Sequence, residues 1–544
     1  MIRYKHLYLL AFCSLTLTSS FSQKPTTLPD WKVQPIELQQ LNSAFRDVNI
    51  SITPNGKYLY FMSGRGGMPW SNNNYTTFRG KPEGDGDLWY SQLVDGTWQP
   101  PQCVGRPVCT SSGEDEPNIS ADGQTVYFQS WKSSWRYDGG PYYRAELRGN
   151  KWENPVGMGG GINAFFSENG FATDGMSISP DGKIFVVAAG ADYDGELDIY
   201  ISRKNAAGVW SYPQKLAIST DKDERSVFIA ADNKTLYFGS AGWGGFGKLD
   251  IFKTTLEGGT KCGEIINIGK PFNTREEDYG FVIDAVRNDV FFVRNSDIFY
   301  AHLGEQADER IKPTPVVVID GKVTDSSGKP REAIVRIIDG AKKDTISLAR
   351  SNAITGEYSL TIPKKEGIYR QQIQFNDSYV EERELTITAD TKPQIEIPIV
   401  GELEKLEPKK VAPPTVEPVV DQPVILVKEP VLVQLQKTIY FDFDQAVLSQ
   451  TDKDSLDILF NELIPAQIER IELVGHTDAV GSSEYNQMLS EKRVRNTAIY
   501  LKEKGLNIQM NTTAKGESEP AVANTNKVAQ AKNRRVEIRI TYKK

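Results

Sequence analysis

One pattern recurs from about residue 45 to residue 305 and limits the fold more than any other feature: an apolar run, a tight turn, then an aromatic-rich run. It is plainest in Ile50-Ser51-Ile52-Thr53-Pro54-Asn55-Gly56-Lys57-Tyr58-Leu59-Tyr60-Phe61, in Asn118 to Phe128 around Asp122-Gly123, and in Ser177 to Phe185 around Asp181-Gly182. Val227 to Phe238 and Phe281 to Phe292 continue it in weaker form. An Asn-Gly or Asp-Gly pair between alternating runs marks a β-hairpin, because the favoured two-residue turn needs positive φ. A third strand follows in Asp87-Leu88-Trp89-Tyr90, Asp198-Ile199-Tyr200, Asp250-Ile251-Phe252 and Asp297-Ile298-Phe299-Tyr300. After a further turn, Trp98, Trp152 and Trp210 close three of the units. Four short strands per unit, repeating roughly every fifty to seventy residues, predict β-propeller blades. Five blades fit residues 45–312, or six if the two ends of the region join to build one more.

These units resemble the WD-type, TolB-like repeats of exported bacterial proteins. Asp87, Asp198, Asp250 and Asp297 hold one place in successive units. A catalytic acid is needed once, so this recurrence predicts carboxylates that fix turns or strand entries. The tracts Asp85-Gly86-Asp87 and Asp192 to Asp198 cluster carboxylates as a calcium site would, without following the EF-hand spacing. The Gly- and aromatic-rich insertions Trp131 to Tyr143 and Trp243 to Gly247 suit a propeller face for protein or glycan contact, or gap-filling between blades.

Past the repeats the pattern changes. Ile319 to Asp325, Ala333 to Ile338, Thr355 to Leu360 and Ile368-Tyr369 are strand runs without blade signatures, and residues 313–400 resemble a carboxypeptidase-regulatory-like domain, a transthyretin-like β-sandwich. Residues 401–432 then carry Pro408, Pro413, Pro414, Pro418, Pro423 and Pro430, the composition of an extended linker. At roughly 3.1 Å per residue such a spacer reaches on the order of 90 Å.

The last hundred or so residues contain Val474-Gly475-His476-Thr477-Asp478, then Gly481, Tyr485-Asn486 and Leu489-Ser490-Glu491-Lys492-Arg493. An apolar strand ends at a Thr-Asp pair, a Gly-containing turn follows, and an Arg-bearing helix starts. With Ile439-Tyr440-Phe441-Asp442-Phe443-Asp444 upstream and Asn533-Arg534-Arg535-Val536-Glu537-Ile538 downstream, this resembles the peptidoglycan-binding domain of the OmpA-like family. Strands over Ile439 to Phe443 and Ile468 to Val474 alternate with helices over Asp452 to Leu463 and Ser483 to Lys504, an α/β βαβαβ sandwich over residues 433–544. The resemblance implies that Asp478 and Arg493 read the zwitterion of diaminopimelate. The Asp would accept from the ammonium, and the planar guanidinium would grip the carboxylate. It places Thr477, Asn486 and Asp444 near that pocket and leaves Arg534 a structural part of the closing motif. Taken singly, an Asp at a turn is commonly a cap and an Arg on a helix a solvated charge. Their convergence comes from the resemblance alone.

The net charge of −8, with no basic block, argues against a nucleic-acid partner. The only long apolar stretch is N-terminal, where Arg3 and Lys5 precede Leu7 to Leu17 and Ser20-Phe21-Ser22 offers small residues for cleavage before Gln23. Residues 1–22 therefore predict a secretory signal peptide, followed by an N-terminal segment over 23–44, and no membrane span is expected beyond it. Cys13 offers a rival reading as an acylated cysteine, although Phe12 stands where that motif takes a small residue. Past the leader only His302 and His476, and Cys103, Cys109 and Cys262, remain, and no paired-Cys spacing points to zinc. In an exported protein Cys103 and Cys109 could pair across their short loop, leaving Cys262 over.

The expectation is a multidomain, mainly β chain with an α/β C-terminal domain: a non-enzymatic exported tether without cofactor or metal. It would sit on the periplasmic side of the outer membrane, grip peptidoglycan through its C-terminal domain and hold outer-membrane or periplasmic proteins through its propeller. The arrangement resembles multidomain OmpA-like proteins of Bacteroidota, some of them accessories of type IX secretion and gliding. The alternatives are a propeller glycosidase with two carboxylates, or a wall-anchored lectin. The propeller has no Gly-x-Ser-x-Gly elbow, and its lone His302 ends the last blade.

Overall fold

The computed structural model describes residues 24–66, 76–84, 86–132, 140–191, 197–205, 208–304, 307–376, 379–401, 432–448, 452–453, 456, 468–503, 510–524 and 526–543. The predicted leader with Cys13, Asp85, the acidic residues 192–196, most of the 131–143 insertion, the Pro-rich stretch 402–431 and nearly all of the helix expected over 452–463 lie outside the described residues. The chain divides into two compact units, residues 1–410 and 411–544.

In the first unit each sequence repeat is one antiparallel sheet. The first two strands of the five sheets are Asp47–Ile52 and Tyr58–Ser63, Glu114–Ile119 and Thr125–Ser130, Ala172–Ile178 and Ile184–Gly190, Glu224–Ile229 and Thr235–Ser240, and Asp278–Ile283 and Asp289–Arg294. The third strands are Asp87–Val94, Tyr142–Arg148, Asp198–Arg203, Asp250–Gly258 and Asp297–His302. Each hairpin turn needs one left-handed residue, supplied by Gly56, Gly123 and Gly182 and then by Asn233 and Asn288. The first strand of every sheet packs against that of the next, and the fifth packs against the first. Second strands fill the interior with one apolar residue each at a shared position, aromatic in four of the five: Phe61, Phe128, Val187, Phe238 and Phe292, all buried. Burying such a ring contributes roughly 1.5–3 kcal/mol.

The N-terminal segment is woven into these sheets. Ile36–Glu37 pairs antiparallel with the third strand of the fifth sheet, completing it, and Thr26–Thr27 adds parallel to Ile266–Asn267 at the edge of the fourth. Among the described residues the two ends build no sixth sheet; they finish the fourth and fifth.

Two devices shape the ring of strands. In each sheet the first ladder slips by one residue, and the extra residue is left-handed: Asn49, Glu116, Gly175, Ser226 or Gly280. A bulge of this kind bends the strand and tightens its twist. The five bulge residues line one shared cavity of about 10 Å³. The second device is a buried acid at the head of four first strands. Asp47, Glu114, Glu224 and Asp278 accept from the backbone N–H and the hydroxyl of Ser43, Thr110, Thr220 and Thr274 respectively. Each acid thereby pins the connection that enters its sheet.

Residues 316–401 form two four-stranded sheets. Val316–Asp325 lies between Glu357–Pro363, antiparallel, and Gln394–Glu396 with Ile399–Gly401, parallel. The other sheet runs Thr345–Arg350, Ile334–Asp339, Gly367–Asn376, Tyr379–Ile387. Both contribute to one core around Val317, Ile319, Val335, Ile337, Leu360 and Ile373. Hairpin-turn residues of the five-sheet body bind this core's surface. Asn55 Nδ2 donates to Asp320 at 3.1 Å, the Arg350 N–H donates to Asp122 at 2.9 Å, and Asn352 Nδ2 donates to the Gly149 carbonyl at 2.7 Å.

The second unit has a four-stranded sheet in the order Leu432–Tyr440, Arg535–Lys543, Ile468–His476, Met510–Ala514, antiparallel except for the last junction. Its first strand begins at Leu432 and ends at Tyr440, earlier at both ends than the sequence predicts. Helix Ser483–Glu503 packs on the sheet, and helix Lys527–Asn533 leads into the closing strand. Ile439, Leu473, Val494, Leu501 and Ile538 lie in its core. Among the described residues no helix is long and apolar enough to cross a membrane.

The bulge geometry makes Gly175 irreplaceable. At its φ of 102° a Cβ would stand 2.6 Å from the Ser226 Cα of the next sheet. Gly175→Ala is expected to lower stability by about 3 kcal/mol. Gly123→Ala, at a turn with nothing within 4 Å of the added Cβ, should lose only about 1 kcal/mol. Urea unfolding followed by Trp fluorescence compares the two; equal losses would remove the argument from close packing.

Candidate functional site

The site forms where strand Ile468–His476 ends above helix Ser483–Glu503. Gly475 makes the approach possible, since a Cβ there would meet the Ser490 carbonyl at 2.5 Å. The buried helix face carries Leu489, Ser490, Val494, Thr497 and Leu501, and Arg493 lies among them at 0% exposure. Tyr485, which the apolar spacing assigns to that face, is instead 41% exposed.

Arg493 is an uncommon buried cation. Its guanidinium donates to three backbone carbonyls, those of Gln445 at 2.8 Å, His476 at 2.9 Å and Asp442 at 3.4 Å, and stacks 5.2 Å from the Phe441 ring centroid. Among the described residues no carboxylate lies at ion-pair distance from it. Burial, and then the neighbouring Arg534 charge, push its pKa down to about 10. Its hydrogen-bonded partners are neutral carbonyls, and the Asp478 and Asp444 charges offset only part of the downward push.

Asp478 is also buried, and its partner is Arg534, whose Nη1 lies 2.9 Å from Oδ2. The other carboxylate oxygen accepts from the Val480 N–H at 3.1 Å. Arg534 further donates to the Phe441 carbonyl at 3.0 Å, which ties the start of the closing strand to the end of the first. Asp444 stands in the left-handed region at φ 57° and accepts from the Tyr485 hydroxyl. Asn486 donates to Glu517. Its Oδ1 and the Thr477 Oγ1 are buried with no hydrogen-bond partner among the described residues. Buried polar atoms normally have partners, so these two are exceptions within the domain.

All five residues expected at the site thus lie in the second unit around the strand end and the helix start. They do not form one direct Asp478–Arg493 pair. Asp478 bonds Arg534, which sequence reasoning had treated as structural, while Arg493 is caged by carbonyls. Tyr485 and Glu517 were missed as partners of Asp444 and Asn486. Arg493 had a legible signal, a charge on the buried stripe of the helix; Glu517 had none.

Residues 440–534 match the sequence model of the OmpA family. The C-terminal domain is an OmpA family domain. Within it the chain is 36% identical over 102 residues to outer membrane protein A of Bordetella avium, covering 19% of this chain and 53% of that relative. It is 33% identical over 99 residues to the peptidoglycan-associated lipoprotein of Buchnera aphidicola subsp. Baizongia pistaciae, covering 18% of this chain and 57% of that relative. The chain therefore spans little more than half the length of these relatives. A solved peptidoglycan-associated lipoprotein from Burkholderia pseudomallei is 26% identical, covering 19% of this chain and 88% of that one, with a TM-score of 0.18.

In the first unit, the four recurrent aspartates have distinct partners. Asp250 accepts from the Phe246 and Gly247 N–H groups and so fixes a turn, as expected, while Asp198 pairs with Lys215 at 2.7 Å and Asp297 with Arg79 at 2.6 Å. Asp87 is buried beside Cys103 and Cys109. The cavity shared by the five first strands holds Glu116, but at about 10 Å³ it is far smaller than the ~300 Å³ at which small-molecule sites begin.

His476 gives the OmpA domain a pH response. Its ring is buried, neither nitrogen has a hydrogen bond among the described residues, and Glu537 is 3.8 Å away. Burial, then Arg535, hold its pKa below the usual value of 6.5. The folded state therefore prefers the neutral ring, and the stability it contributes is present above about pH 6.5 and lost as pH falls further. Hydrogen exchange of strand 468–476 should accelerate between pH 7 and 5 beyond the trend in strand 316–325, and His476→Phe should remove the difference. An unchanged difference in the variant would assign the effect to other groups.

Proposed function

We propose that this chain is an exported, non-enzymatic cell-envelope tether. Its OmpA domain grips the diaminopimelate of peptidoglycan stem peptides, and its N-terminal unit holds protein partners on the periplasmic side of the outer membrane. The observation that carries the reading is Arg493, a fully buried guanidinium caged by carbonyls, in a domain where the Thr477 hydroxyl and the Asn486 amide oxygen also lack partners among the described residues. A ligand carboxylate would give that cation its missing counter-charge. The ligand ammonium would share Asp478 with Arg534, and Asp444 would lie at the rim. Thr477 and Asn486 supply the polar contacts that orient the stem peptide. The names of the relatives, an outer membrane protein and a peptidoglycan-associated lipoprotein, support the same compartment and ligand.

The five sheets, with their first strands in a closed cycle of contacts, support a five-bladed β-propeller as the partner-binding part. Residues 313–400 are the carboxypeptidase-regulatory-like sandwich, bonded to the propeller through its hairpin turns. The machinery served, by the domain arrangement, is type IX secretion or gliding.

Co-sedimentation of the full chain with purified sacculi tests the wall-binding reading. Wild type should pellet, while Asp478→Ala and Arg493→Lys, each checked for folding by circular dichroism, should lose at least tenfold in affinity, about 1.4 kcal/mol. Sacculi with amidated diaminopimelate should bind less. Wild-type protein left in the supernatant would sink the proposal.

A further inference from the structure

The sequence holds no paired-Cys spacing, yet the fold brings three metal-ligating side chains of the first sheet together. One carboxylate oxygen of Asp87 and the sulfurs of Cys103 and Cys109 all lie within 4.8 Å of one another. Asp87 and Cys109 are buried, and Cys103 is half-buried on the edge strand.

What belongs at such a place can be learned from the other sheets, because the same three positions recur. Cys103 pairs in register with Trp89, two residues after Asp87. Lys215 pairs in the same way with Tyr200, two after Asp198, and Asn267 with Phe252, two after Asp250. Cys109 Sγ lies 3.7 Å from the Leu88 carbonyl, one residue after Asp87. The Ser219 hydroxyl and Asn273 Nδ2 donate likewise to the Ile199 and Ile251 carbonyls. In the third sheet the strand-edge residue is an ammonium, 2.7 Å from its aspartate. In the fourth the two positions are amides bonded to each other at 2.9 Å. The third sheet thus puts a cation on its aspartate, and the fourth joins its two positions by an amide hydrogen bond. In the first sheet both positions are thiols.

The sulfur geometry narrows what these three groups could hold together. Cys103 Sγ and Cys109 Sγ are 3.9 Å apart, about twice the ~2.05 Å of a disulfide. Two thiolates on one tetrahedral zinc at ~2.3 Å each would be about 3.8 Å apart. Thiolates with one carboxylate suit zinc better than hard cations, which take oxygen, or monovalent copper, which favours sulfur alone.

We propose that Asp87, Cys103 and Cys109 bind a zinc ion, with the fourth position open to water or another ligand. Binding exchanges two thiol protons for one Zn²⁺, the protons passing to solvent, with no change of oxidation state. The ion pins the edge strand Gln102–Cys103 to the connection that leads into the second sheet.

The test uses the full chain with Cys13→Ser and Cys262→Ser, purified under reducing conditions and stripped of metal, titrated with Zn²⁺ against a chromophoric chelator. One Zn²⁺ per chain is expected, undisturbed by excess Ca²⁺, and Co²⁺ in its place should give thiolate-to-metal charge-transfer absorption in the near ultraviolet. Cys103→Ser, on a half-buried edge strand, should keep the fold and lose at least tenfold in Zn²⁺ affinity along with part of that absorption; Asp87→Asn should lose affinity but keep the absorption. Because Cys109 is buried and its variant risks unfolding, Cys103→Ser decides. Zn²⁺ uptake equal to that of Cys103→Ser would overturn the proposal. So would recovery of Cys103 and Cys109 as a disulfide from chain exported and isolated without reductant.

Discussion

A left-handed residue inserted into the first ladder of each sheet sets the geometry on which the rest of the N-terminal unit depends. Without that extra residue the five first strands would run straight past one another; with it each bends and twists enough to meet its two neighbours. Glycine takes the position without strain at 175 and 280, but Asn49, Glu116 and Ser226 hold a conformation that costs of order 1–3 kcal/mol each. Side-chain bonds offset part of this. Asn49 donates to Asp115 at 2.8 Å, and the Tyr142 hydroxyl donates to Glu116 at 2.6 Å. Burial raises the pKa of both acids, and the neighbouring Asp115 charge raises that of Glu116 further. The ring is therefore closed around carboxyl groups held in place by their neighbours, in a space too tight for a substrate.

The repeats were legible because turn chemistry is local. Asn-Gly and Asp-Gly declare a hairpin wherever they fall between alternating runs, so the three Gly turns stood out. The two fainter repeats are those in which Asn233 and Asn288 take the left-handed place, with no glycine to advertise it. What the sequence hid was non-local. A two-residue strand such as Ile36–Glu37 has no periodicity, and only its partner two hundred and more residues away makes it a strand. The buried acids at the heads of the first strands read as ordinary surface charges until the fold encloses them. At the OmpA pocket the residue types were legible and their pairing was not. Nothing in the spacing of Asp478, Arg493 and Arg534 tells which arginine meets the carboxylate, since that depends on how the closing strand lies beside the first.

The pocket proposed to bind the wall works against the stability of its own domain. A buried guanidinium held only by carbonyl dipoles, and hydroxyl and amide oxygens without partners, are arrangements a purely structural core avoids. They persist where the surrounding sheet and helix over-determine the backbone, as the contact of Gly475 with the helix does here. A ligand that satisfies them would stabilise the domain it enters, which couples occupancy to folding.

The direction of the strands in the OmpA domain bears on mechanics. The chain enters at Leu432 and runs along the sheet to Tyr440, beside which Asp442, Asp444 and Arg534 build the pocket. Leu432–Tyr440 is joined to the closing strand through nine consecutive registered pairs, from Leu432 with Lys543 to Tyr440 with Arg535. Tension between the pocket and the entering chain therefore acts along the strand axis. It loads the whole ladder in shear, with every hydrogen bond sharing the force, whereas a pull across the strands would open them one at a time like a zipper. The domain is oriented to resist a pull from the side on which the rest of the chain is attached.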